Sequence, residues 1–505
     1  MAYKQTGFLF FVMKQIGLLF LMITFSGWIV AQSVPDAYRR QFSETLALNF
    51  SKADPYLNKN ADGIELAYQY HLADYQHFLK AFINEQEDSY DFGMDKRDNY
   101  LDHWQSLYKG YPEKGYFVGD SYLRWAMLQL KMNQRFKAAF AINKAYRNLK
   151  KTVEQYPDYL PAKADLGILE IFIGSVPERY QWVMELLNFE GSVESGKAKI
   201  DEVLRQTSDN PEVAWLKLPV LFMRSFIDIN LTGKPNDLAM RHLSEMHEDG
   251  TIANQPFMIF LYAGMLQKQQ KNEQALQVLS LYDMDGQEIP FYYLYYMKGL
   301  SQLYALDRKC LTSFDTYLKN FDGKHYIKSA YQKKAWFHLL QGDTLSYKRN
   351  MQYVLDYGND LTGADDQAMD EAEHAVIPPV ALLKGRLLFD GGYYPEALEA
   401  LNSGFEPEST EQLTEYYYRK GRIYHETDSL LEALNFYEKA YSTGENLEAY
   451  YAANAMLLSG RILNSQDRKM AAVDAFEKCL ELSGFQYQYA IHQKARAGLA
   501  EAKSE

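Results

Sequence analysis

Cysteine and proline are scarce in this chain, and basic residues are fewer than acidic ones. Two cysteines in 505 residues, Cys310 and Cys479, are too few and too far apart for a disulfide scaffold or a cysteine-rich zinc site. We expect both to be packed core thiols. Only 15 prolines and 30 glycines exclude a collagen-like or low-complexity chain. Fifty-three basic residues against 66 acidic ones give a net charge of −13, which excludes a general binder of nucleic acid or of anionic membranes.

The residues that are abundant belong to a folded protein. Hydrophobic residues make up 47% of the chain and charged residues 24%, which excludes intrinsic disorder. Tyrosine is unusually common, with 41 copies. Tyrosine is enriched at binding surfaces because its ring offers both apolar area and a hydroxyl group.

The N-terminal segment has the composition of a targeting sequence. From Phe8 to Ala31 the only charge is Lys14, and the apolar run ends in small residues. This pattern is typical of a secretory signal peptide cleaved near Ala31, and Met13 is an alternative start of the same signal. The signal predicts an exported, periplasmic protein. An uncleaved N-terminal membrane anchor is the alternative, because the apolar stretch is long enough to span a bilayer.

A pattern of small and large residues repeats in the C-terminal third. Three segments share one spacing without a gap: Ala381, Gly385, Leu388, Ala397, Leu401 and Gly404; Tyr417, Gly421, Tyr424, Ala433, Tyr437 and Ala440; Met456, Gly460, Leu463, Ala472, Phe476 and Cys479. The small residues let two antiparallel helices approach closely, and the large residues fill the space around that contact. Weaker copies have the first small residue at Ala263, Gly299 and Ala335.

These residues resemble the tetratricopeptide repeat (TPR), a helix-turn-helix unit. The resemblance implies an all-α fold, a right-handed α-α superhelical solenoid of TPR-like helix pairs. Before residue 110 the repeat is unreadable, but apolar residues recur at helical spacing and predict an N-terminal helical cap. The predicted organisation is a signal peptide over 1–31, the N-terminal helical cap over 32–110, a divergent helical repeat region over 111–240, TPR-like repeats over 241–358, an acidic spacer over 359–377 and C-terminal TPR repeats over 378–505.

The predicted spacer at 359–377 contains acidic residues and no lysine or arginine. We interpret it as a solvated helix and loop. A cation site is the alternative, although the segment lacks the alternating acids and central glycine of a calcium loop.

The chain contains none of the common catalytic signatures. Gly191 to Lys197 approaches a phosphate-binding loop, but Ala198 stands where that loop needs a magnesium-binding hydroxyl. His71 and His77 are six residues apart, on different faces of a helix, which disfavours a metal pair. We therefore predict a protein that is not an enzyme and needs no cofactor, nucleotide or metal. An enzyme with its site within residues 40–240 is the alternative.

The TPR resemblance also implies a concave groove lined by the first helix of each pair. The family's groove positions carry over to one arginine in each C-terminal repeat: Arg386, Arg422 and Arg461. The apolar and aromatic neighbours implied in the same way are Leu382, Tyr418, Leu457, Phe389 and His425. An arginine ladder would suit a peptide with acidic side chains or a C-terminal carboxylate. The alternative is that Asp390 and Glu426 hold two of these arginines along their own helices as i, i+4 pairs.

These features predict a non-enzymatic TPR scaffold or adaptor of the cell envelope that binds a protein or peptide in its groove. Charge reversal of Arg422 and Arg461 should then abolish partner binding with little effect on stability. The alternative function is a glycan- or nutrient-binding partner of an outer-membrane importer, because helical-repeat binders with many exposed aromatic residues can do that work.

Overall fold

The computed structural model describes residues 34–55, 58–176, 189–210, 212–231 and 237–504. The described residues contain 23 α-helices and no strand, which confirms the all-α prediction. The predicted signal peptide lies outside the described residues.

Most helices are joined by short turns. Their bounds are α1 Asp36–Leu46, α2 Gly63–Asn84, α3 Glu87–Ser106, α4 Pro112–Lys131, α5 Arg135–Gln155, α6 Leu160–Gly174, α7 Val193–Asp209, α8 Lys217–Leu231, α9 Asp237–Glu248, α10 Pro256–Lys268, α11 Asn272–Leu279, α12 Tyr293–Tyr304, α13 Lys309–Asn320, α14 Ile327–Leu340, α15 Thr344–Asp356, α16 Gly363–His374, α17 Val380–Asp390, α18 Tyr394–Asn402, α19 Thr410–Glu426, α20 Leu430–Gly444, α21 Tyr451–Ser465, α22 Lys469–Glu481 and α23 Gln488–Lys503.

The helices pack in consecutive adjacent pairs, as in an α-solenoid. The closest pairs include α4 with α5, α14 with α15, α19 with α20 and α21 with α22. The first helices of successive pairs also contact one another, in the series α2, α4, α6 and again in α17, α19, α21. Each pair therefore buries its apolar face against its neighbours.

The alternation of small and large residues has the predicted packing role. A Cβ atom on Gly421 would lie 2.5 Å from the ring of Tyr437, and one on Gly460 would lie 2.6 Å from the ring of Phe476. Both glycines thus sit where a ring from the second helix of the pair fills the space that a side chain would need.

The largest hydrophobic core extends from Val34 to Met297, across α1 to α12. This core runs without a break past residues 110 and 240, the predicted ends of the N-terminal cap and of the divergent repeat region. Smaller cores follow from Tyr296 to Leu387 and from Tyr418 to Ala502. The N-terminal half is thus packed as one body, whereas the C-terminal half has local cores.

The array also folds back on itself through contacts between distant turns. The Gln270 side chain, after α10, donates to the carbonyl oxygen of Phe389 at 2.8 Å and accepts from the Tyr394 hydroxyl at 2.6 Å. Glu85, at the end of α2, accepts from the backbone N–H groups of Lys324 and His325 at 2.8 and 3.0 Å. These contacts join stretches that are separated by more than one hundred residues.

The predicted acidic spacer contains the helix α16, which packs against α14 and α15. Asp365 departs from the expected solvated run because it is fully buried. Its carboxylate accepts from the backbone N–H groups of Tyr326 and Ser329 at 2.6 and 2.9 Å and from the Thr362 hydroxyl at 2.7 Å. Asp365 therefore caps the start of α14.

Candidate functional site

The fold-back forms a solvent-open cavity of about 850 Å³ between α8, α10 and α12 on one side and α17, α18 and α19 on the other. We call it the interior cavity. Its size falls within the range of ligand pockets. Its aromatic lining consists of Phe226, Phe260, Tyr293, Tyr304, Tyr326 and Tyr394.

Four charged side chains also line the interior cavity: Lys268, Asp390, Arg422 and Glu426. Gln269 lines the same wall, and its amide oxygen is buried without a hydrogen-bond partner within the described part of the chain. The cavity therefore combines apolar ring faces with charges of both signs and an available acceptor.

Arg422 is the predicted groove residue that the structure brings to this cavity. Its guanidinium lies 4.5 Å from the centre of the Phe389 ring and donates to the Tyr418 hydroxyl at 3.2 Å. These contacts replace the expected pairing along the helix with Glu426. They fix the guanidinium while leaving it partly exposed.

Arg386 occupies a different environment. Its Nε lies 3.9 Å from Asp390, as expected for the i, i+4 pair, and its guanidinium lies 4.9 Å from the centre of the Trp336 ring. The Lys333 ammonium lies 3.6 Å from the same ring, so two cations share one indole. Burial and then the nearby Arg386 lower the pKa of Lys333 to about 7.

Arg461 is exposed and lies among other cations. Burial and then the positive charges of Arg461 and Lys268 lower the pKa of Lys494. No described carboxylate forms an ion pair with any of the three. An anionic group near them would therefore relieve repulsion without displacing an existing partner.

The apolar neighbours expected in the groove are core residues instead. Leu382, Tyr418, Leu457 and Phe389 are only 1%, 2%, 2% and 6% exposed. Successive first helices pack on one another through these positions, so they present almost no surface to a partner. His425 is half-buried, and its Nδ1 lies 3.2 Å from the Tyr437 hydroxyl.

Neither a family model nor a curated protein sequence matches this chain.

Two further observations concern the part of the chain that the structure describes. No helix there combines the length and hydropathy needed to cross a bilayer. No group of three or more His, Cys, Asp or Glu side chains there is arranged to hold a metal ion.

The apparent phosphate-binding loop has a packing explanation. A Cβ on Gly196 would lie 2.3 Å from the carbonyl oxygen of Gly167, so this glycine permits close contact between α6 and α7. Lys197 forms an ion pair with Asp228 at 2.8 Å. The glycine of the motif thus permits close helix packing, and its lysine forms an ion pair within the protein.

A buried polar network in the N-terminal half was not foreseen from the sequence. His71 contacts the Tyr38 hydroxyl at 2.8 Å and Asp120 at 2.7 Å. Arg124 donates to Asp120 at 2.9 Å and to Asp74 at 3.0 Å. Burial lowers the pKa of His71, which keeps the imidazole neutral at pH 7. All five side chains are buried, so the network stabilises the packing of α1, α2 and α4.

Cys310 and Cys479 are both fully buried and free, as expected for packed thiols. Burial raises the pKa of each thiol to about 12, so neither forms a reactive thiolate near neutral pH.

Proposed function

We propose that this chain is a non-enzymatic, TPR-like binding scaffold of the cell envelope that holds a segment of a partner protein at its interior cavity. The observation that carries the proposal is the cavity itself, whose wall includes Lys268 and Arg422. The nearby cations Arg461 and Lys494 support a partner segment that carries carboxylates. The apolar N-terminal run supports export to a periplasm, and the small–large repeat pattern supports a right-handed TPR solenoid.

The contacts of each cation decide which substitutions test the proposal. Arg422 packs on Phe389 and bonds to Tyr418, so reversing its charge would also lower stability. Arg461 and Lys494 are exposed and lack a carboxylate partner among the described residues. Arg461→Glu with Lys494→Glu should therefore remove the attraction for an acidic segment and leave the fold intact.

The test is in-cell crosslinking of a tagged copy, followed by mass spectrometry of the crosslinked proteins. We expect one or two envelope proteins to crosslink near the interior cavity of the unchanged chain and to be lost from the Arg461→Glu, Lys494→Glu variant. The matched control is Arg308→Glu with Lys309→Glu, which makes the same charge change at exposed residues that belong neither to the cavity lining nor to the cationic group of Lys268, Arg461 and Lys494. Equal recovery of the partner by both variants would contradict the proposal.

The aromatic lining supports a second candidate function, the binding of a glycan or another small nutrient. Tyr304 and Tyr394 present rings to a cavity whose volume suits a small ligand. A panel of soluble glycans, followed by intrinsic fluorescence, tests this alternative. Saturable binding that Tyr394→Ala weakens, without any crosslinked protein partner, would favour it.

A further inference from the structure

Two helices of the N-terminal half, α3 and α5, carry opposite charges on their exposed faces. On α3, five exposed aspartates fall on one stripe at helical spacing: Asp88, Asp91, Asp95, Asp98 and Asp102. On α5, four exposed basic residues form an equivalent stripe: Lys137, Lys144, Arg147 and Lys151. We call these the acidic stripe and the basic stripe. Successive residues of a helix are about 100° apart, so steps of three, four or seven residues return to nearly the same direction. Each stripe therefore covers no more than roughly 100° of its helix surface.

Exposed phenylalanines accompany both stripes. Phe136 and Phe140 lie within the basic stripe and are 95% and 64% exposed, and Phe92 lies beside the acidic stripe and is 54% exposed. The Lys144 ammonium lies 5.4 Å from the centre of the Phe140 ring. Aromatic side chains are enriched at protein interfaces, and these three accompany the charged rows.

The helices that carry the two stripes share one neighbour, α4. The helix α3 packs against α2 and α4, and α5 packs against α4 and α6. The Tyr90 hydroxyl on α3 donates to the Gln134 side chain just before α5 at 2.9 Å, which aligns the starts of the two helices. No ion pair joins the stripes within the described residues, and Asp95 pairs only with Lys96 on its own helix at 3.6 Å.

We infer that the two stripes lie on one face of the protein and that this face is an interface between two copies of the chain. A two-fold axis that runs along α3 and α5, midway between them, places the acidic stripe of each copy opposite the basic stripe of the other. The stripes match in length, since the fourteen-residue steps from Asp88 to Asp102 and from Lys137 to Lys151 each cover about 21 Å. The phenylalanines would lie between the charged rows and lose their contact with water.

The size of the face predicts how strongly the copies associate. Two helix faces, each about 10 Å wide and about 21 Å long, cover roughly 400 Å² per copy, which corresponds to a weak interface. Association should therefore depend on concentration and weaken as salt rises from about 0.01 M to about 1 M, where the screening length falls from about 30 Å to about 3 Å.

The two-fold arrangement permits a charge-swap experiment. The acidic-stripe variant is Asp91→Lys with Asp95→Lys, and the basic-stripe variant is Lys144→Glu with Arg147→Glu. Sedimentation equilibrium of the unchanged protein at low salt should show a monomer–dimer equilibrium. We expect each variant alone to dimerise at least about tenfold more weakly, because each places like charges opposite one another. An equimolar mixture of the two variants should regain dimerisation, since both contacts in the mixed dimer are again of opposite charge.

The controls separate the interface from other effects of charge. Glu406→Lys with Glu408→Lys makes the same charge change as the acidic-stripe variant at an exposed site elsewhere, and should dimerise like the unchanged protein. Far-UV circular dichroism should show that every variant keeps its helicity.

The inference is overturned if the unchanged protein stays monomeric at low salt, or if the mixture of variants fails to regain dimerisation. A monomeric protein that instead sediments with anionic phospholipid vesicles, and loses that binding in the basic-stripe variant, would assign α5 to a lipid surface.

Discussion

The carbonyl oxygen of Gln270 lies so close to Gly392 that a Cβ atom on Gly392 would be only 2.1 Å away. Gly392 also has φ of +82°, in the left-handed region. This backbone contact joins the turn after α10 to the turn after α17, and Gln270 also lines the interior cavity.

Substitution of Gly392 should open this contact. We expect Gly392→Ala to lower the free energy of unfolding by about 2 kcal/mol or more, because it combines backbone strain with a clash against backbone atoms. Gly404→Ala is the matched control, since Gly404 has φ of +68° and no atom near its Cβ position. The Gly404→Ala control should lose only the part of the free energy of unfolding that comes from backbone strain, about 1 kcal/mol. Equal losses in urea unfolding would mean that the contact with Gln270 contributes nothing.

Glu85 should make the free energy of unfolding depend on pH in the acidic range. Its burial opposes ionisation, but Lys131 and His325 more than offset this, and its pKa lies well below the usual value. A carboxyl group with a lowered pKa in the folded state stabilises the protein above about pH 4, and this contribution is lost as the pH falls further. Glu85→Gln should cost about 3 kcal/mol at pH 7, and the difference from the unchanged protein should shrink toward pH 3.

Urea midpoints measured from pH 7 to pH 3 test this expectation. Glu87→Gln is the control, because Glu87 pairs with Lys324 on the exposed surface and should matter little. If the Glu85→Gln and unchanged curves remain parallel at every pH, the buried ion pair is not responsible for the acid dependence.

Lys333 should also make stability rise with pH, but in a higher pH range. Its pKa of about 7 in the folded protein is below the usual value of about 10.4 for an unfolded chain. Between these values the unfolded chain binds more protons, so stability rises as the pH increases, by at most about 1.4 kcal/mol per pH unit. Lys333→Met should be more stable than the unchanged protein at pH 7 and should lack this rise.

Melting temperatures between pH 7 and pH 9.5 provide the measurement. Lys334→Met serves as the control because Lys334 lies on the same helix and pairs with the carboxylate of Asp315. Its profile should run parallel to that of the unchanged protein. A parallel profile for Lys333→Met as well would show that Lys333 is not the titrating group.

The packing of small against large residues predicts a contrast between two glycines. Gly421→Ala places a methyl group against the Tyr437 ring and should destabilise the protein by about 1–3 kcal/mol. Gly264→Ala meets only Met297, at 3.8 Å, and should stabilise its helix by up to about 1 kcal/mol. Chemical denaturation of both variants gives the sign of each change, and a stabilising Gly421→Ala would contradict the packing described for α19 and α20.

The helix pairs could be predicted because their cause is local. Gly421 and Tyr437 are close in sequence, and their spacing alone predicts two helices in contact. The interior cavity could not be predicted in this way, because Gln270 and Gly392 look like ordinary turn residues and nothing near either one specifies the other. Contacts between turns this far apart depend on the accumulated angles of every helix pair between them.

The same reason explains why the surroundings of the three arginines could not be predicted. Arg386, Arg422 and Arg461 occupy equivalent repeat positions, yet each has different neighbours. Trp336 comes from an earlier helix pair and Lys494 from a later one. A repeat pattern specifies how a side chain leaves its own helix, but the surrounding helices determine its charge environment. The buried network around His71 was missed because its members are far apart in sequence and each resembles an ordinary polar helix residue.

The contact of Glu85 with Lys324 and His325 has a consequence for the order of synthesis. The chain reaches Glu85 some 240 residues before the groups that complete its hydrogen bonds. Until residues 324 and 325 are synthesised, the N-terminal core can assemble only with the Glu85 carboxylate incompletely hydrogen-bonded. The core therefore reaches its full stability late in synthesis. A truncated chain that ends before residue 324 would still contain the helices of the N-terminal core. It would be less stable than the same region in the full chain, and therefore more readily degraded by proteases.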